Sequence, residues 1–231
     1  SKNRKIVLDT VTTGLDYIMS DRIIELAAIE LLDDKETGKE FHTYINPKIK
    51  IEESGQKIHG ITDELVKDKP FFSDIAQDFL DFVGDSIIIA HNAEFDRCFL
   101  NLELGLLKRT SIKREQFIDS LALVKSLFRG EKASLDDLCL RFGIDTSSRQ
   151  NHHGALIDSK LLAKVYINII SYINNNFGLD KKILKNLFNK EESKLNYKKQ
   201  DFSYRSFELK EEEKEQHYAF LAKIKKPLWK K

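Results

Sequence analysis

The run Ile6-Val7-Leu8-Asp9-Thr10-Val11-Thr12-Thr13-Gly14 constrains this chain more than any other segment. Three apolar residues reach a carboxylate and then a Thr/Gly turn. An apolar run this short reads as a buried strand of about Lys5–Asp9. The carboxylate at its end must then sit at the rim of a sheet, beside the backbone N–H groups of the turn. Residues two apart on a strand share a face, so position 11 lies on the same side as Asp9. There it holds valine.

The remaining elements follow from periodicity and end signals. Arg22–Leu32 reads as a long second strand and Glu40–Asn46 as a third. The charged stretch Asp33-Asp34-Lys35-Glu36-Thr37-Gly38 between them reads as a hairpin connection. These three strands are expected to form an antiparallel meander. Thr62-Asp63-Glu64 has the form of a helix start. Phe72, Ile75, Phe79, Phe82 and Val83 recur at helical spacing, which predicts a helix over about 73–84 with an apolar core face. A fourth strand, Ser86–Ala90, leads through His91-Asn92 into a helix from Ala93 to about Leu107, with Asn92 as the expected N-cap. Gln116–Asp119 is a short fifth strand and Ser120–Phe128 a helix. Ser134-Leu135-Asp136-Asp137 resembles a capping box. The last large helix, Ala155 to about Asn174, carries Leu162, Val165, Tyr166, Ile169 and Ile170 on one face. Three antiparallel strands followed by alternating helices and strands indicate an α/β mixed sheet.

Three acids fall at strand ends or in early helical turns: Asp9, Asp96 and Asp158. Such positions converge at one edge of an α/β sheet. Oxygen ligands with a histidine nearby suit Mg²⁺ or Mn²⁺. Two such ions about 4 Å apart can activate water and stabilise the leaving oxygen of a phosphodiester. His153 is the natural general base for that water. A nuclease of this kind needs a second carboxylate at position 11.

The motifs Asp9-Thr10-Val11-Thr12-Thr13-Gly14, His91-Asn92-Ala93-Glu94-Phe95-Asp96 and His153-Gly154-Ala155-Leu156-Ile157-Asp158 resemble those of the DEDDh 3′–5′ exonucleases. Within them, the chain is similar to the epsilon (proofreading) subunits of bacterial DNA polymerase III. The likeness extends through Arg22-Ile23-Ile24-Glu25-Leu26-Ala27-Ala28, Ile58-His59-Gly60-Ile61 and Ser134-Leu135-Asp136-Asp137-Leu138-Cys139. It covers about residues 4–170 and resumes in the tail. The resemblance implies a ribonuclease H-like fold and two divalent ions, Mg²⁺ or Mn²⁺. Asp9 would bridge both ions, and Asp96 and Asp158 would each complete one site. His153 would deprotonate the attacking water, in preference to His152, because the family pattern has His followed directly by Gly. Thr12 and Thr13 would meet the terminal nucleotide through backbone N–H groups, with His59 and Phe95 packed against its base or sugar. The family has Glu where this chain has Val11, so one ligand and one negative charge are missing. A misplaced nucleophile alone can cost about 10²-fold in rate, and an impaired exonuclease is expected. A catalytically silent scaffold of the polymerase–clamp assembly and an RNA-processing DEDDh exonuclease are the alternatives.

Charge divides the 231 residues unevenly. Residues 179–231 hold 15 Lys/Arg and 9 Asp/Glu, while residues 1–178 hold 23 and 28. Phosphate contacts supply most non-specific affinity for nucleic acid. An acidic domain therefore grips a strand terminus, and tight DNA binding is left to a partner. Domain boundaries are expected at 1–178 for the exonuclease, 179–205 for a flexible basic linker and 206–231 for a tail. By resemblance, the tail binds the polymerase (alpha) subunit through Tyr218, Leu221, Ile224 and Trp229. The apolar patch at 184–188 is a candidate sliding-clamp contact. No 18-residue apolar run exists, so no membrane span is expected. The N-terminus lacks the apolar core of a secretory signal. Cys98 and Cys139 read as buried, reduced thiols, which suits the bacterial cytoplasm.

Overall fold

The computed structural model describes residues 3–16, 21–149 and 153–177. The proposed linker, the clamp-contact patch and the tail with Tyr218, Leu221, Ile224 and Trp229 lie outside the described residues, as does His152.

A five-stranded mixed sheet has the order β3-β2-β1-β4-β5. Its strands are β1 (Arg4–Thr12), β2 (Ile23–Leu32), β3 (Lys35–Tyr44), β4 (Ile87–Ala90) and β5 (Phe117–Asp119). The first three pair antiparallel, as the sequence predicts, and β4 and β5 add on in parallel. The helices are α1 (Glu53–His59), α2 (Asp63–Val66), α3 (Phe72–Val83), α4 (Ala93–Leu106), α5 (Ser120–Leu127), α6 (Leu135–Phe142) and α7 (Ala155–Phe177). No helix among the described residues is long and apolar enough to cross a membrane.

The pleat of β1 sorts its residues to two cores. Ile6 and Leu8, with Leu26, Ala28 and Ile88, pack against Phe79 and Val83 of α3 and Phe99, Leu100 and Leu104 of α4. Val7, with Ile29, Leu31 and Ile89, packs against Leu162, Ala163 and Tyr166 of α7. A further cluster joins Leu123 and Val124 of α5 and Leu138 and Cys139 of α6 to Leu161 and Val165 of α7. The sheet is thus covered on both faces, with β1 in the middle.

Several local expectations change. The β2–β3 hairpin turns on Asp33 and Asp34, both with positive φ (50° and 59°), so β3 begins at Lys35. Two consecutive left-handed residues make the tight turn that suits the twist of a hairpin. Asn92 precedes α4 but does not cap it with its side chain; it is left-handed, with φ 71° and ψ 55°. Asparagine tolerates that conformation better than most residues, and the chain needs it to turn from β4 into α4. Its backbone N–H donates to Asp119 Oδ1 at 3.0 Å. Cys139 is buried as expected, whereas Cys98 is only partly buried and lies 3.5 Å from Glu94 Oε1. Thr62 and Ser134 cap α2 and α6 through their hydroxyls, and Ser134 forms a capping box with Asp137.

Phe79 is fully buried between α3 and the sheet and sits 5.7 Å from the ring of Phe41. Phe79→Ala is expected to lower the unfolding free energy by about 3–5 kcal/mol, read as a shift in the urea midpoint.

Candidate active site

The ends of β1 and β4 open on one edge of the sheet, at the point where β1 has an antiparallel neighbour on one side and a parallel one on the other. Asp9 lies near the end of β1, on the face covered by α7. Asp96 lies in the first turn of α4 and Asp158 in the first turn of α7. Three elements distant in sequence therefore deliver their carboxylates to one rim.

Each carboxylate is held differently. Asp96 is 2% exposed, and its Oδ1 accepts from the Thr10 hydroxyl at 2.8 Å. Burial pushes its pKa from 3.8 to about 7. Asp9 is partly open to solvent, yet its pKa is raised well above 3.8. Burial is the main cause, followed by the charges of Asp96, Asp158 and Glu25. Asp158 is raised by burial, against the opposing charges of Arg149 and His153. Arg149 Nε lies 2.8 Å from Asp158 Oδ1 and its Nη2 donates to Oδ2 at 2.9 Å, while Nη1 engages Asp136.

His153 precedes α7 with its side chain about half exposed (49%), and its Nδ1 is 3.8 Å from Asp158 Oδ2. At Gly154, which follows, the backbone passes close to Glu25. A Cβ there would stand 3.4 Å from Glu25 Oε2. That oxygen accepts from the Ala155 N–H at 2.9 Å, at the start of α7. The other oxygen of Glu25 is 2.8 Å from His42 Nε2 on β3.

Thr12 and Thr13 are buried. The Thr13 N–H donates to the Arg22 carbonyl at 2.9 Å, so it is spent inside the protein, contrary to its expected role toward a nucleotide. The Thr13 hydroxyl donates to Asp21, whose carboxylate closes the loop over Gly14. A Cβ at Gly14 would meet Asp21 Oδ2 at 2.4 Å, so a larger residue there would push the Asp21 carboxylate aside. His59, the last residue of α1, sits beside the Thr/Gly turn. A Cβ at Gly55 would lie 3.1 Å from His59 Nε2 and 3.6 Å from the Thr13 carbonyl oxygen. Its Nδ1 accepts from the Ile61 N–H at 3.1 Å. Phe95 is partly buried one residue before Asp96, with its ring 4.9 Å from that of Phe99.

Val11 is partly buried and packs with Tyr44 against an apolar cluster of Ile24, Ile51, Ile61 and Val66. It offers no donor atom. Among the described residues, no three His, Cys, Asp or Glu side chains close on one point tightly enough to hold an ion. The donor set nonetheless fits divalent cations. Asp9, at the end of β1, feels the negative charges of Asp96, Asp158 and Glu25 and the opposing charge of Arg149. Buried anions at this density are stabilised by a metal.

Sequence reasoning assigned no role to Glu25, Arg149 or the Thr10 hydroxyl. A signal existed for Glu25: it is a lone acid within the apolar run Ile23-Ile24-Glu25-Leu26. Arg149 gave none, since it stands in a polar loop, Thr146-Ser147-Ser148-Arg149-Gln150-Asn151, with no motif around it.

The raised pKa of Asp96 has a consequence for stability. Between about pH 4 and 7 the folded metal-free protein holds a proton that the unfolded chain has lost, so stability falls as pH rises through this window. Asp96→Asn mimics the protonated acid and keeps the acceptor for Thr10. In chelator it is expected to raise the melting temperature at pH 8, with the gain vanishing at pH 4. Equal melting curves at both pH values would contradict this account.

Comparison with known proteins places this geometry. Residues 6–166 match the family described as Exonuclease. The DNA polymerase III subunit epsilon of Rickettsia typhi is 54% identical over 170 residues, covering 72% of this chain and 74% of that protein. The subunit of the same name from Salmonella typhimurium is 43% identical over 171 residues, 71% of this chain and 70% of that protein. Among solved structures, exonuclease X in complex with 5′-overhanging duplex DNA superposes with a TM-score of 0.59 at 26% identity, over 73% of this chain and 92% of that one. The nuclease domain of 3′hExo, a DEDDh family member bound to rAMP, gives a TM-score of 0.65 at 18% identity, over 74% of this chain and 93% of that one, and so supports the fold. With its carboxylates on this rim and residues 6–166 matched throughout, the chain belongs to the exonuclease family, in the branch of the DNA polymerase III epsilon subunits.

Proposed function

We propose that this chain is the proofreading subunit of a bacterial replicative polymerase, hydrolysing the 3′-terminal nucleotide of a DNA strand, with its activity reduced by Val11. One observation carries the reading: Asp9, Asp96, Asp158 and His153 meet at one sheet edge in a chain 54% identical to a named epsilon subunit. Asp9, Asp96 and Asp158 would hold two divalent ions, Mg²⁺ or Mn²⁺, which when bound supply charge stabilisation to the phosphodiester and acidify water.

The protein's own groups do the rest. His153 has its Nδ1 turned toward Asp158, which leaves Nε2 to take the proton of the attacking water. Its half-exposed ring can pass that proton to solvent. A new P–O bond forms to the water oxygen as the bond to the 3′ oxygen breaks, and that oxygen takes up a proton. A nucleoside 5′-monophosphate and a strand one residue shorter result. His59, beside Thr13, and Phe95, beside Asp96, flank the rim on the side where the terminal sugar and base would lie. Thr12 and Thr13 hold that side in shape through their loop bonds.

The relatives' name, a subunit of DNA polymerase III, supports association with that polymerase; binding to its alpha subunit, action on single-stranded 3′ ends and a cytoplasmic setting are part of the proposal. Contacts through Tyr218, Leu221, Ile224 and Trp229, and of 184–188 with the sliding clamp, belong to the same proposal. Val11 is also the observation that favours a second reading, a silent scaffold within the polymerase assembly.

A single assay separates the two readings. Degradation of a 3′-labelled single-stranded oligonucleotide in Mn²⁺ is expected to be slow with this chain and faster by about 10²-fold or more with Val11→Glu. Equal rates would show that position 11 does not limit the chemistry. No cleavage by either protein would leave the scaffold reading.

A further inference from the structure

The strand register puts a carboxylate next to the missing ligand. Val11 stands directly opposite Glu25 on β2, and Glu25 directly opposite Tyr44 on β3. Asp9, Ala27 and His42 form the adjacent row two residues away. Directly opposed residues have Cβ atoms about 4.5–5.5 Å apart and point to the same face. Glu25 therefore rises from the sheet one strand away from position 11, on the face that carries Asp9.

Its surroundings are those of a ligand rather than of a core ion pair. Glu25 is 2% exposed, and among the described residues each oxygen has one donor: His42 Nε2 at 2.8 Å and the Ala155 N–H at 2.9 Å. A carboxylate offers about four acceptor positions, so each oxygen keeps one free. Ligating carboxylates are themselves held by outer hydrogen bonds in this manner. Glu25 Oε2 accepts from the first N–H of the helix whose first turn carries Asp158.

Other nearby acids serve other parts of the fold, and none of them stands opposite position 11 in the strand register. Asp119 caps α5 at the Leu121 N–H and accepts from Asn92. Asp21 holds the Thr13 hydroxyl and the Asp16 N–H beside Gly14. Asp136 is mostly exposed and faces Arg149.

We propose that Glu25 is a ligand of the divalent-cation site, supplying from β2 the carboxylate that β1 lacks at position 11. The assignment rests on the metal-dependent reading above. Glu25 also positions α7, and hence His153 and Asp158, through the Ala155 N–H, so the test must separate ligation from positioning.

Four proteins do so: the full chain, Glu25→Gln, Val11→Glu and the double variant, each titrated with Mn²⁺ by calorimetry without DNA. Glutamine keeps an acceptor for Ala155 but is a poor ligand. Glu25→Gln is expected to weaken Mn²⁺ binding about tenfold or more in the Val11 chain, and less than about threefold once Glu occupies position 11. An unchanged affinity in the Val11 chain overturns the assignment. An equal loss in both backgrounds also overturns it, because positioning of α7 does not depend on residue 11. Binding only by the Val11→Glu proteins overturns it while leaving the metal-dependent reading intact. Binding by none of the four overturns that reading. Circular dichroism in chelator checks the fold. If glutamine unfolds the chain, Glu25→Asp, which draws the carboxylate back by one methylene, is expected to show the same background-dependent loss.

Discussion

The crowding of negative charge at the end of β1 is the constraint around which the structure is arranged. A buried carboxylate is costly unless it is hydrogen-bonded, paired or protonated, and each of the three is in use. Thr10 gives its hydroxyl to Asp96. Arg149 grips Asp158 with two nitrogens. Glu25 takes a histidine and the first N–H of a helix. Asp9 has like charges on several sides and is held toward its protonated form. The fold sets these acids together against their mutual repulsion, and the stability of the apolar cores packed on both faces of the sheet holds them there.

Seen this way, Arg149 and a metal do the same electrostatic work at Asp158. A guanidinium occupies both oxygens of that carboxylate, so an ion arriving there shares the site with Arg149 or displaces it. Positive charge then remains beside Asp158 in either state. If the ion displaces Arg149, the neighbouring residues at the start of α7 experience a smaller change in field than the arrival of a dication alone would produce.

Much of this was legible in the sequence, for identifiable reasons. The apolar runs of β1, β2 and β4 and the stripe from Phe72 to Val83 are period signals. Thr62 and Ser134 are end signals with a hydrogen bond behind each. The order of Asp9, Asp96, His153 and Asp158 carried the family. What was not legible had no local signal. Helix α1 contains Gly55 and few apolar residues, and only His59 of its seven residues is buried. The first half of β3, Lys35–Glu40, is wholly exposed and so lacks the alternation that marks a strand. The opposition of Glu25 to Val11 depends on inter-strand register, which a single sequence does not spell out. Asn92 looked like a cap because of its residue type and place, whereas the chain uses its tolerance of positive φ.

The exposed half of β3 has a consequence for how this protein avoids its own kind. A sheet edge offers unpaired backbone groups to any passing strand. Here Lys35, Glu36, Lys39 and Glu40 crowd one edge with hydrated charge of both signs, and Gly38, at φ 82°, bends it. The opposite edge, β5, is three residues long. Neither border presents a long flat strand for another chain to extend. Charge on one border and a short strand on the other disfavour growth of the sheet by addition at either side.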